Sequence, residues 1–200
     1  METNVYWQDT SMLNEHQIEA REDDRPPDDE LAVGALRDPA QYALLYRRYV
    51  RRVYRYFYGR VGCADDAEDL TSQLFLEVLK ALPRYRPQGK FAPWLFTLAR
   101  RRASDFHRSQ SPAFPLDWIK EMASGEDPLE STIQAERISR LSGLYRQLDE
   151  ERQELIRLRF GAGLTHRQVG EVLGRTEAAV TMAMHRVLHW FHENWEVQDE

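Results

Sequence analysis

Between Gly163 and Thr176 the chain carries a helix start, a helix stop and a second helix start in close succession. Thr165 stands at an N-cap position and Gln168 follows at the third helical position, the spacing of a capping box. Gly174, in Gly174-Arg175-Thr176, provides the tight turn, and Thr176 caps the segment that follows. Apolar residues at helical spacing flank the turn: Val169, Val172 and Leu173 before it, then Val180, Met184, Val187, Leu188 and Phe191 after it. A short helix, a glycine turn and a longer helix make a helix-turn-helix, a unit that places its second helix in the DNA major groove. The alternative reading is an ordinary helical hairpin. The outward residues of the second helix (Glu177, Ala178, Thr181, Met182, His185 and Arg186) include one fixed cation. Its grip on duplex DNA is therefore expected to be modest, with Arg167, Arg175 and Arg186 as the best contacts and His166, Thr181 and His185 as further donors.

The rest of the chain also reads as helix. Leu31–Gly59 repeats apolar residues at steps of three and four (Leu44, Leu45, Tyr49, Val53, Phe57), with Arg47, Arg48, Arg51, Arg52 and Arg55 on the other faces. Asp65, Asp66, Glu68 and Asp69 crowd the start of the next helix, where carboxylates suit the helix dipole. Its buried stripe is Ala67, Leu70, Leu74, Val78 and Leu82, and Pro83 stops it. Pro83–Lys90 is a loop, and Phe91–Arg108 is a helix that tolerates Pro93 in its first turn. Residues 109–137 hold several Pro and Gly steps and read as a flexible linker. Helix resumes near Ile138, with Leu141, Leu144, Leu148, Leu155, Ile156, Leu158 and Phe160, and ends at Gly161 and Gly163. The expected fold class is all-α: two small helical domains joined by a flexible linker, the second containing the helix-turn-helix.

The formal net charge of −6 hides a strong segregation. Residues 1–30 hold 2 cationic and 10 anionic side chains, and residues 42–110 hold 14 cationic and 6 anionic ones. A basic block within an acidic chain is the electrostatic footprint of a nucleic-acid surface. Residues 1–30 read as a disordered acidic extension, either a solvated tail or a segment that masks the basic block. Residues 196–200 read as a short tail. Inside the basic block, Arg100, Arg101 and Arg102 follow Phe91, Trp94 and Phe96 by about one turn. Arginines pair with phosphates and aromatic faces stack on unpaired bases, so this segment suits DNA whose strands are apart. Trp94 fits either a stacking or a core position.

At this point the sequence resembles the extracytoplasmic-function (group 4) branch of the sigma-70 family of bacterial RNA polymerase sigma factors. Asp66-Ala67-Glu68-Asp69-Leu70-Thr71-Ser72-Gln73-Leu74-Phe75-Leu76 is similar to the family's core-binding helix. Phe91, Trp94, Leu95, Phe96, Ala99, Arg100 and Asp105 are similar to its promoter-melting helix, and Leu148 to Arg186 to its second DNA-binding domain. The resemblance covers residues 35–108 and 140–192. It implies a region-2-like domain over 31–108, which docks on the clamp helices of the polymerase largest subunit through Asp69, Gln73, Phe75 and Glu77. On the residues alone, the outward face of that helix is either a docking face or solvated. The resemblance further implies that Arg84, Tyr85, Arg86, Lys90, Phe91, Trp94, Arg100, Arg101, Arg102 and Arg108 engage the melted −10 element. A region-4-like domain over 138–195 would read the −35 element through Thr165, His166, Arg167, Arg175, Thr176, Thr181, His185 and Arg186, and would hold the flap of the second-largest subunit. An anti-sigma factor is the expected regulatory partner. This chain departs from the family pattern at Ser72-Gln73, where relatives often carry Gln-Glu, and at Arg101, where they often carry Asn. It also has Thr181-Met182-Ala183 where relatives often carry a cation.

Other classes are weakly supported. No Gly-rich phosphate loop, paired catalytic carboxylate or nucleophile motif stands in the chain, so no enzymatic activity and no cofactor are expected. His185, His189 and His192 share a helix face, but only Glu193 stands near to complete a metal set, and histidines near a helix C-terminus are favoured by the dipole anyway. Apolar runs fall short of the roughly 20 residues of a membrane span. The single Cys63 fits a reducing cytoplasm. Two alternatives stay open: a helix-turn-helix regulator or adaptor that no longer binds polymerase, and a helical module that binds a protein partner.

Overall fold

The computed structural model describes residues 26–107 and 131–196, which form eight α-helices and no strand. The expected single helix over Leu31–Gly59 is two: α1 (Asp28–Gly34) and α2 (Pro39–Val61). The break is chemical. Proline disfavours helical backbone at the residue before it, and Asp38 is extended at φ −132°. Its carboxylate then caps α2 by accepting the Ala40 amide at 2.9 Å. Gly62, at φ 82°, ends α2.

Helix α3 (Ala64–Ala81) buries Ala67, Leu70, Leu74 and Val78 as the periodicity predicts, and Leu82 just beyond it is 2% exposed. A single 3₁₀ turn (Leu82–Arg84) leads into the loop before α4 (Phe91–His107). Phe91, Leu95, Phe96, Ala99 and Ala103 form the inner face of α4 against Tyr49, Val53, Tyr56 and Phe57 of α2.

Helix α5 (Ser131–Gln147) begins before the expected start at Ile138. The helical run expected through Phe160 is interrupted at Leu148–Asp149, because Asp149 caps a new helix, α6 (Glu150–Ile156), by accepting the Arg152 amide at 2.8 Å. That helix runs into a π turn over Arg157–Gly161. Helices α7 (His166–Leu173) and α8 (Glu177–Glu196) are the helix-turn-helix. The capping box is formed: Thr165 accepts the Gln168 amide at 3.2 Å, and the Gln168 side chain accepts the Thr165 amide at 3.0 Å. The turn is tight at Gly170, where an added Cβ would lie 2.6 Å from the Arg175 carbonyl. Leu188, expected in the buried stripe of α8, is 49% exposed. It lies one position round from Val187, which faces the small core of Ile138, Tyr145, Leu148 and Ile156.

The two units share one core. Tyr56 and Phe96 of the first belong to the same buried cluster as Leu155, Leu158, Leu164, Val169 and Val180 of the second. Helix α4 packs on α7, and α2 packs on the π turn. That packing sets the surroundings of the basic block.

Candidate nucleic-acid interface

The 3₁₀ turn is anchored by buried Leu82, and the loop between it and α4 runs exposed from Arg86 to Lys90. Its ends are closed by hydrogen bonds. The Tyr85 amide donates to the Leu82 carbonyl at 3.0 Å, and the Trp94 amide donates to the Lys90 carbonyl at 3.0 Å. Gly89 takes the left-handed conformation, φ 69°, that lets the chain turn back into α4. The aromatic rings form a graded stack. Phe91 is 3% exposed and packs on Tyr49 at 5.4 Å. Trp94 is half-buried, with its centroid 4.8 Å from that of Tyr85 and 5.5 Å from that of Phe91. Tyr85 and Trp94 thus keep exposed surface, and with Arg84, Arg86, Lys90 and Thr97 they line a cavity of about 480 Å³. Burial and the hydrogen bond to Asp29 push the Tyr85 hydroxyl well above its ordinary pKa, so it is a donor at any physiological pH.

The three arginines of α4 have three environments. Arg101 is exposed. Arg102 points back to α3: it donates to Glu77 Oε2 at 2.6 and 3.2 Å and to Gln73 Oε1 at 2.8 Å. A groove of about 370 Å³ runs there between Leu70, Gln73, Glu77, Arg101 and Asp105. Arg100 is half-exposed and lies 3.6 Å from Glu154 of the second unit.

Glu154 is the centre of the contact between units. Its carboxylate is 7% exposed and accepts the Tyr56 hydroxyl at 2.7 Å, Arg157 Nε at 3.1 Å and Arg60 at 3.3 Å. Burial alone would raise its pKa, but Arg157 and Arg60 outweigh burial and hold it below the usual carboxylate range. Arg157, 1% exposed, also reaches Glu150, Gln153 and the Tyr145 hydroxyl. Arg52 donates to the Ala162 and Gly163 carbonyls at 2.7 and 3.2 Å. Lys90, beside the cavity, pairs with Glu171 of α7 at 3.3 Å.

In the helix-turn-helix, His166 Nδ1 and Thr181 Oγ1 lie 3.1 Å apart, and Thr181 donates to the Glu177 carbonyl at 3.0 Å. Thr176 accepts the Ala179 amide at 3.2 Å and so caps α8. Arg175 donates to Glu151 at 2.8 Å. Arg167 is 72% exposed and 3.6 Å from Glu171, and His185 and Arg186 are exposed on α8.

Residues 45–112 match the family model for sigma-70 region 2, and residues 146–189 match that for sigma-70 region 4. The chain is 31% identical over 144 residues to the ECF RNA polymerase sigma factor SigD of Mycobacterium tuberculosis, covering 68% of each. The chain belongs to the extracytoplasmic-function sigma factors of the sigma-70 family. It is also 32% identical over 151 residues to the ECF RNA polymerase sigma factor BldN of Streptomyces coelicolor, covering 74% of this chain and 57% of BldN. The structure of CnrH in complex with the cytosolic domain of CnrY shares the fold, with a TM-score of 0.62 at 18% identity over 86% of this chain and 99% of the matched chain.

In this sigma factor the region-2 residues named from the sequence fall into two sets. Arg84, Tyr85, Arg86, Lys90 and Trp94 converge on one cavity, with Arg100 and Arg101 further along α4. Phe91 stands apart because its ring is buried. Arg102 stands apart because Glu77 and Gln73 hold it. On α3, Asp69 and Gln73 are exposed and Glu77 is half-buried, whereas Phe75 turns its ring inward against Tyr46 at 4.7 Å and is 6% exposed. Its carbonyl accepts the Tyr42 hydroxyl at 2.6 Å, and burial, then Tyr46, pushes that hydroxyl up to about 12. Arg108 lies outside the described residues, as do most of the acidic extension and the linker. Among the described residues no helix is long and apolar enough to cross a membrane, and no group of three His, Cys, Asp or Glu could hold a metal.

Sequence reasoning missed Tyr56, Glu154 and Glu171, which join the units, Arg157, which pairs with Glu154 from within the second unit, and Asp28 and Asp29, which stand at the end of the acidic extension. Tyr56 carried one signal, its place in the apolar stripe of α2. A carboxylate that pairs across 98 residues carries none.

Proposed function

We propose that this sigma factor docks on core RNA polymerase through the outer face of α3, captures an unstacked base of a melted −10 element in the loop before α4, and reads a −35 element with α8. The observation that carries the reading is the cavity beside α4. Two half-exposed aromatic rings, Tyr85 and Trp94, stand next to Arg84, Arg86 and Lys90. Flipping a base costs a few kcal/mol, and stacking returns about 1–3 kcal/mol per base, so a pocket joining rings to cations is what melted DNA requires. Arg100 and Arg101 continue the basic track along α4 for the phosphates.

The docking face is supported by its chemistry. Leu76 is 60% exposed and Leu79 47% exposed on α3, beside Asp69, Gln73 and Glu77. Apolar side chains rimmed by polar ones suit a protein partner. The largest-subunit clamp helices are the partner this reading assigns. We assign the flap of the second-largest subunit to region 4 and extend to this chain a protein regulator of the anti-sigma class. Elements centred at −10 and −35 lie about 85 Å apart along B-DNA. Reading both requires the two units to separate, which breaks the Lys90–Glu171 and Arg100–Glu154 pairs.

Run-off transcription by core polymerase plus this protein on genomic DNA, with start sites mapped, tests the reading. Discrete start sites preceded by two shared elements support it. No specific transcript and no co-purification with core polymerase would favour the helix-turn-helix regulator instead.

A further inference from the structure

The first turn of α1 carries two neighbouring carboxylates that face different partners. Asp28 faces α2, where the Arg48 guanidinium and the Tyr49 hydroxyl both donate to it. Leu31 and Ala32, one turn on, are 2% and 1% exposed. Helix α1 is thus anchored without Asp29. Asp29 faces the loop before α4. Its Oδ1 accepts the Tyr85 hydroxyl at 2.5 Å, and its Oδ2 accepts the Gly89 amide at 2.5 Å. One carboxylate bridges the two ends of the loop.

The loop needs such a bridge. Residues 86–90 are all exposed, so no buried side chain of their own fixes them. The Tyr85 ring meets Trp94 at 4.8 Å and Phe91 at 5.6 Å, and it forms a wall of the 480 Å³ cavity, a volume within the range of small-molecule pockets. A negative charge beside Arg84, Arg86 and Lys90 would by itself repel a phosphate. Its two hydrogen bonds offset that by holding the loop in one shape before DNA arrives, which lowers the ordering cost of binding.

We infer that Asp29 is a positioning residue for promoter recognition: it sets the width of the loop and the pitch of the Tyr85 ring, and through them which unstacked base the loop accepts. The inference rests on the reading that this loop captures a base.

The test uses holoenzyme, core polymerase with the full chain, and a duplex library randomised across the −10 element of a promoter mapped as above. Transcripts are sequenced to give the base preference at each position. Asp29→Ala should flatten the preference at the captured position about tenfold while leaving affinity for core polymerase within about twofold. Tyr85→Phe, which keeps the ring and removes one hydrogen bond, should flatten it in part. The double variant should be no flatter than Asp29→Ala. An unchanged profile for Asp29→Ala, or an equal loss on every sequence, overturns the inference. Trp94→Ala separates the two levels. If it flattens the profile and Asp29→Ala does not, the inference alone fails; if neither does, the base-capture reading fails and takes the inference with it. Should Asp29→Ala not fold, Tyr85→Phe decides the question by the same profile.

Discussion

The Tyr56 hydroxyl donates to Glu154 Oε1 at 2.7 Å, across 98 residues of sequence and between the region-2 and region-4 units. The same carboxylate takes Arg157 and Arg60, so one buried acid ties region 2 to region 4.

Removing it should be costly. Glu154→Ala leaves Arg157 buried beside fewer acceptors and leaves the Tyr56 hydroxyl without its partner. Breaking a buried pair from one side costs about 3–5 kcal/mol. Urea unfolding should show a loss of that order. Tyr56→Phe, which removes one hydrogen bond, should lose about 1–3 kcal/mol.

The pH dependence has a definite sign. The pKa of Glu154 is lowered in the folded state, so its contribution is present above the unfolded carboxylate value, about 4.3, and is lost as pH falls through the lower folded value. Glu154→Gln mimics the protonated acid. The stability gap between wild type and Glu154→Gln, from urea titrations at stepped pH, should be constant near neutrality and shrink below about pH 4. A gap that widens on acidification contradicts the assignment.

Arg102 belongs with α3. Its partners Gln73 and Glu77 are candidate docking residues, and both Arg102 and Glu77 are partly exposed, at 27% and 34%. A pair this exposed contributes at most about 1 kcal/mol, so Arg102→Ala should weaken core-polymerase binding by up to about fivefold. It should leave binding of single-stranded −10 DNA nearly unchanged. Fluorescence anisotropy with labelled core polymerase and with labelled oligonucleotide separates the two.

Gly170→Ala tests the helix-turn-helix. The new Cβ would meet the Arg175 carbonyl at 2.6 Å, so the turn must open at a cost of about 1–3 kcal/mol. Transcription that depends on a −35 element should fall, while capture of −10 DNA by the region-2 unit persists. Templates with and without the upstream element report this.

Much of this fold was legible because helices announce themselves locally. The Thr165–Gln168 capping box, the Gly174 stop and the α3 stripe of Ala67, Leu70, Leu74 and Val78 all stand as their spacing predicts. Pro39 carries the local signal that splits α1 from α2. The loop cations and Trp94 were legible as a set because they are close in sequence. The exceptions, Phe91, Phe75 and Arg102, depend on which way a helix face turns in the packed molecule. The contact between units was not legible at all, because Tyr56, Glu154 and Arg157 are ordinary residues until folding brings them together.

We propose that the segment from Phe91 onward, rather than the more recognisable helix-turn-helix, dominates the grip on the promoter. Arg100 and Arg101 are both exposed on α4, and Arg186 is the exposed fixed cation on the outer face of α8. The measurement is open-complex formation by holoenzyme on a mapped promoter. Arg100→Ala combined with Arg101→Ala should lower it by at least about tenfold, and Arg186→Ala alone by no more than about threefold. A smaller loss for the double variant than for Arg186→Ala would overturn that ranking.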